Sequence, residues 1–151
     1  MAAAITDRAI SAIQDHSFDF ILINYANGDM IAHTGDFDAG IKAAKVIDNE
    51  IGRLIKVALS TPTYIFITSD HGNLEQMMDP MTGHKETQHD ANPVPLYLVG
   101  PGFEGRQFFN QQRLREETLG IPSDVAPTIL KILNIPQPPE MSGHNLLEKL
   151  L

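Results

Sequence analysis

Five side chains suited to divalent cations punctuate this 151-residue chain, each beside an apolar run. Asp29 and His33 lie in Asn24-Tyr25-Ala26-Asn27-Gly28-Asp29-Met30-Ile31-Ala32-His33-Thr34-Gly35. Asp70 and His71 lie in Thr68-Ser69-Asp70-His71-Gly72-Asn73, and His89 stands just ahead of Asn92-Pro93-Val94-Pro95. Carboxylate oxygen and neutral imidazole nitrogen are donors for Mn²⁺, Zn²⁺ or Fe²⁺. Asp29 and His33 are four apart, which on one helical turn brings both to one side. The same pair also reads as an Asx-turn aspartate and a histidine capping the next helix. Adjacent Asp70 and His71 share an ion only on an irregular turn, of the kind Gly72 permits; otherwise they are a polar strand end. His89 is pinned by Pro93 and Pro95 to a backbone with few alternatives, although a lone loop histidine is also commonly a surface residue. His84 competes with His89 for its role, while His16 and His144 read as turn residues. Together, two carboxylates and three histidines are what a site for two cations requires. The bland alternative is a set of loops that happen to be rich in His and Asp.

Such a site needs a scaffold that gathers distant segments. Ile5 to Ile13, with apolar residues at 5, 9, 10 and 13, predicts a short amphipathic helix. Phe18 to Tyr25 is almost continuously apolar and predicts a strand buried on both faces. Phe37, Ile41, Ala44, Ile47, Ile51, Leu54, Ile55 and Ala58 mark one stripe of a long helix, capped by Thr34 or Asp36. Gly40 and Gly52 inside it cost about 1 kcal/mol each relative to Ala, so packing must hold it. Thr63 to Thr68 predicts a second strand and Val94 to Val99 a third, near an edge because of Pro95. Gly72 to Asn92 reads as a long functional loop. The polar stretch from Phe103 to Gly120 has no assignable period. Asp124 to Leu133 predicts a last helix with Ser123 or Asp124 as cap and Pro127 in its opening turn. Strands separated by helices predict an α/β, three-layer fold with a mostly parallel sheet. Three strands make that sheet thin, and 1–151 reads as a single partial domain.

Composition narrows the function classes. Eleven Lys and Arg against 19 Asp and Glu give a net charge of −8, which argues against nucleic acid or an anionic membrane as partner. The absence of cysteine excludes disulfides, thiolate ligands and a cysteine nucleophile, and suits a cytoplasmic setting. No apolar run reaches the roughly 18–20 residues of a membrane span, and Met1-Ala2-Ala3-Ala4 does not open a signal peptide.

The three ordered motifs resemble those of the cofactor-independent phosphoglycerate mutases, of the alkaline phosphatase superfamily. The resemblance runs from about Ile5 to Leu147. It implies an alkaline-phosphatase-like fold and a two-metal site, typically manganese, interconverting 3-phosphoglycerate and 2-phosphoglycerate through a phosphoserine. By position it implies Asp29, His33 and His89 on one ion, with Asp70 and His71 supplying part of the second. In two-metal phosphoryl transfer the ions activate a hydroxyl and neutralise charge on the transferring oxygens. Gly28 stands where the family usually has Pro, and Glu86 and Asp90 flank His89 where it tends to have His and Thr. The resemblance also implies that the serine nucleophile, another aspartate of the second site and the substrate-binding domain lie upstream. Ser69 does not occupy the nucleophile position, so no catalytic residue is assigned. The expectation is a mutase fragment, inactive alone, that meets phosphoglycerate only when completed by the upstream half. The competing readings are a non-catalytic metal-binding module that associates with itself or a missing-half partner, and another phosphoesterase of the superfamily.

Overall fold

The computed structural model describes residues 1–103 and 118–150, in two compact units, Met1–Gly102 and Phe103–Leu151. Most of the Phe103–Gly120 stretch lies outside the described residues.

In the first unit, helix α1 (Ala2–Gln14) packs on the long helix α3 (Phe37–Ala58). Small residues make the close fit: Ala2, Thr6 and Ala9 on α1, and Ala43, Leu54 and Ala58 on α3, are buried. Arg53 of α3 clamps the pair, donating to Asp7 on α1 and to Glu50 at 2.7 Å. Thr6 Oγ1 donates to the Ala2 carbonyl at 3.1 Å, which spends its one proton, so the Tyr25 hydroxyl 2.6 Å away donates to it. Helix α2 (Asn27–Ala32) is a short turn packed against α3. Of the two cap candidates Asp36 serves, its carboxylate accepting from the Ala39 N–H at 3.0 Å.

Strands β1 (Ile65–Thr68) and β2 (Leu96–Val99) pair antiparallel, Ile65 opposite Val99 and Thr68 opposite Leu96. The mixed helix-and-strand content agrees with the α/β expectation, but the mostly parallel sheet does not occur among the described residues. A parallel pair needs a crossover, usually helical. Here residues 69–95 instead go out and back as irregular chain, tied by antiparallel bridges Gly72↔Asp90 and Met78↔Lys85. An apolar run announces a strand but not its direction. The strand expected over Phe18–Tyr25 is also corrected. The segment joins no ladder among the described residues, and Phe18, Phe20 and Leu22 are 70%, 56% and 84% exposed. The alternate Ile21, Ile23 and Tyr25 are half-buried, so one side is packed and the other is not.

The second unit holds a 3₁₀ turn (Pro122–Asp124), helix α4 (Val125–Ile132) and a last turn α5 (Leu147–Leu150). Pro127 sits in the first turn of α4 as expected. Asp124 precedes α4 but caps no helical N–H. Its two oxygens accept from the Ile121 N–H at 2.9 Å and the His144 N–H at 2.7 Å. Buried Thr128 donates to the Asp124 carbonyl at 2.7 Å and accepts from the Leu146 N–H at 2.9 Å.

Candidate metal centre

Three segments of the first unit meet at one edge. Helix α2 carries Asp29 and its C-cap residue is His33, so the four-residue spacing puts both on one side of a single turn. The irregular turn after β1 brings His71, and the returning chain before β2 brings His89. Asp29 Oδ1 lies 3.1 Å from His89 Nε2 and 3.3 Å from His33 Nε2, and the two Nε2 atoms are 3.2 Å apart. An ion bonded at about 2.1 Å separates its ligand atoms by about 3.0 Å at octahedral angles and about 3.4 Å at tetrahedral ones. The triangle falls inside that window.

The hydrogen-bonding state of His33 bears on the fit. Its Nδ1 is 2.7 Å from the Thr87 carbonyl, an acceptor, so Nδ1 carries the proton. In the neutral ring Nε2 then presents a lone pair to the Asp29 carboxylate and to His89, as a ligating histidine does when a carbonyl fixes its tautomer. Facing lone pairs repel unless a proton or a cation lies between them, and this donor set fits a divalent ion.

His71 stacks on His89, ring centroids 3.6 Å apart and planes 18° from parallel. One donor atom each of Asp29, His71 and His89 also lie within 4.8 Å of one another. Imidazole lone pairs lie in the ring plane, however, so two nearly parallel stacked rings cannot both aim at one ion. The Asp29–His33–His89 triangle is the tighter set, with His71 stacked beside it. His71 Nδ1 is buried without a hydrogen-bond partner. Asp70 is the outlying member: its side chain is 87% exposed and its Oδ1 lies 3.6 Å from His71 Nε2, beyond hydrogen-bond range. Ser69 Oγ donates to the His71 carbonyl at 2.7 Å. His84 takes no part in the cluster; its carbonyl and N–H serve the turn with Asp79 and Thr82.

One residue of the site escaped the sequence reading. Asn73 Nδ2 donates to Asp29 Oδ1 at 2.9 Å. That bond is the largest cause holding the Asp29 carboxyl below its usual range; burial opposes it, and the nearby His33, His89 and His71 add to it. Only its place two residues after His71 hinted at this. Gly72, expected for its torsional freedom, is not among the glycines with positive φ. It is needed for space, because a Cβ there would collide with Asp90 Oδ1 and Glu75 Oε1.

A fold with these motifs and a clustered Asp–His donor set defines a class: the chain belongs to the metalloenzyme superfamily, which matches residues 1–137. Within it, the chain is homologous to a portion of the 2,3-bisphosphoglycerate-independent phosphoglycerate mutases. It is 41% identical over 148 residues to that of Clostridioides difficile (strain 630), covering 98% of this chain and 28% of the relative. With that of Ectopseudomonas mendocina (strain ymp) it shares 42% over 147 residues, 97% of this chain and 27% of the relative. The crystal structure of Leishmania mexicana phosphoglycerate mutase at low cobalt concentration superimposes with a TM-score of 0.77 at 27% identity, over 95% of this chain and 27% of that one. The chain thus spans little more than a quarter of the length of these relatives. No described helix is long and apolar enough to cross a membrane.

Proposed function

We propose that this chain is the metal-ligand-bearing part of a phosphoglycerate mutase acting between 3-phosphoglycerate and 2-phosphoglycerate, a single partial domain of a cytoplasmic three-layer enzyme. Asp29, His33 and His89 hold one ion, manganese in the first instance, and His71 with Asp70 contributes to a second. The single observation that carries the reading is the 3.1–3.3 Å triangle of Asp29 Oδ1, His33 Nε2 and His89 Nε2. The imidazole of His71, stacked beside that of His89, supplies a further nitrogen donor at the edge of the triangle, which supports a second ion. When bound, such ions lower the pKa of a hydroxyl and neutralise charge on phosphoryl oxygens.

The chain's own residues supply ligands and their orientation. Thr87 fixes the tautomer of His33, Asn73 tethers Asp29, and the single turn of α2 sets the spacing of the first two ligands. Ser69 donates to the His71 carbonyl and does not stand at the family's nucleophile position, so on this reading no serine here takes the nucleophile's part and the isolated chain turns over no phosphoglycerate. Elemental analysis after manganese or zinc loading tests the site: Asp29→Ala and His89→Ala are expected to remove the bound ion, and unchanged metal content in both would defeat the assignment. A coupled assay giving metal-dependent mutase turnover by the chain alone would defeat the inactivity. The exposed Phe18, Phe20 and Leu22 favour a second reading, a module that associates through this face. Self-association in sedimentation that Phe20→Lys abolishes would support it.

A further inference from the structure

We propose that Asn73 is the positioning residue of the Asp29–His33–His89 site: its side-chain amide holds the carboxylate by the oxygen that faces both imidazoles, so that Asp29 meets an ion at one point and from one direction. The inference rests on the metal-site reading above and assigns a role to a residue outside the ligand set.

Asn73 is only 4% exposed, and its backbone is fixed before its side chain acts. Its N–H donates to Glu75 Oε2 at 3.0 Å, and its carbonyl accepts from the Gln76 N–H at 3.2 Å. Leu74 and Met77, on the same loop, lie against α3, where a Cβ at Gly40 would stand 3.1 Å from Leu74 Cδ1 and 2.7 Å from Met77 Sδ. From this anchored loop Nδ2 reaches Asp29 Oδ1 at 2.9 Å. The other end of the same amide, Oδ1, is buried with no partner. A buried acceptor without a donor is destabilising. Turning the amide over would set its oxygen against the carboxylate, so the orientation with the orphaned oxygen is the one Asp29 dictates. The fold thus tolerates one unmet acceptor in order to aim one donor.

The consequence for the carboxylate is geometric. Oδ1 has two in-plane lone pairs. Asn73 occupies one, leaving the other for whatever His33 and His89 also face. A ligand oxygen oriented this way is held against rotation, and losing such a support commonly weakens a metal site about 10–100-fold.

Cobalt titration of the full chain, followed by visible absorption, tests this. Asn73→Leu, close in size but without the donor, is expected to weaken cobalt binding about 10–100-fold and to shift the d–d bands, with the far-ultraviolet circular dichroism retained. Binding within twofold of the unmodified chain with unshifted bands overturns the inference. The unmodified chain gives a second measure should that variant not fold. On zinc addition the Asn73 side-chain NH₂ resonances are expected to shift together with the His33 and His89 ring signals. If they stay put while the ring signals move, the inference is overturned. The two levels separate cleanly. Cobalt lost in Asp29→Ala but kept in Asn73→Leu sinks the role of Asn73 alone, whereas an unmodified chain that takes up no cobalt sinks the site and this inference with it.

Discussion

Two aspartates, one in each unit, both sit below the usual carboxyl range, and they get there differently. Asp124 is held down by backbone donors, first the His144 N–H and then that of Ile121, one on each oxygen. Asp29 is held down first by the Asn73 amide, while burial opposes and the neighbouring His33, His89 and His71 lower it further. Asp124 has its oxygens committed to main chain that it thereby ties together. Asp29 turns one oxygen toward His33 Nε2 and His89 Nε2. The difference lies in what the oxygens face: main-chain donors at Asp124, a side-chain amide and two imidazoles at Asp29.

The largest effect expected from this contrast is reciprocal. Asp29→Ala loses metal affinity by on the order of 100-fold or more, beyond the loss expected from removing a supporting residue, and costs the metal-free chain only the one buried donor it strands, Asn73 Nδ2. Asp124→Ala does the reverse, leaving two backbone donors without their acceptor and lowering the unfolding temperature while zinc uptake per folded chain is preserved. Calorimetry of both variants with and without zinc checks the pair; equal losses of affinity in the two would erase the distinction.

Acid provides the next test. Because the folded value of Asp124 is depressed, its contribution is complete above the unfolded value of about 3.9 and drains away as pH falls through the folded one. Urea midpoints of the parent and Asp124→Asn should therefore differ at pH 6 and converge as pH drops below about 4. A gap of the same size at both ends would mean that ionisation is not what stabilises this corner. A smaller effect is expected at Thr128, which is fully buried. Thr128→Val keeps the shape but strands the Leu146 N–H, costing about 1–3 kcal/mol in urea denaturation, with metal binding untouched.

Much of this arrangement was legible from residue order alone. The Asp36 cap, the stripe of α3, the β1 and β2 runs and Pro127 in the first turn of α4 are local signals, and each element formed where its signal lay. Asp29 and His33 could be paired from their four-residue helical spacing, whereas the grouping of His89 with them came from the resemblance to the mutase family. What could not be read was relational. Strand direction depends on how residues 69–95 return, and the state of Phe18–Tyr25 depends on which neighbours cover it. Asn73 was missed because an amide after a histidine carries no signature until its distance to Asp29 is known.

The two interior glycines of α3 show the same limit and make the smallest prediction. Nothing lies within 4 Å of a Cβ built at Gly52, whereas one at Gly40 meets buried Met77 and Leu74. Gly52→Ala should therefore stabilise the chain by about 1 kcal/mol, and Gly40→Ala should destabilise it. The same sign for both in urea denaturation would show that helix propensity, not the loop lying on the helix, governs the two positions.

The bond from His33 Nδ1 to the Thr87 carbonyl has a wider consequence. Thr87 is two residues from His89, so the orientation of one imidazole is dictated by the stretch that delivers another. An ion arriving here fastens that stretch to helix α2 at two points, and occupancy and local order become a single thermodynamic event. At a hundredfold excess of ion over its dissociation constant, the fastening is worth about 2.7 kcal/mol. The peptide bond after the exposed Lys85, whose Glu86 N–H donates to the Met77 carbonyl at 3.0 Å, would then report occupancy to trypsin, its cleavage slowing as the ion is supplied.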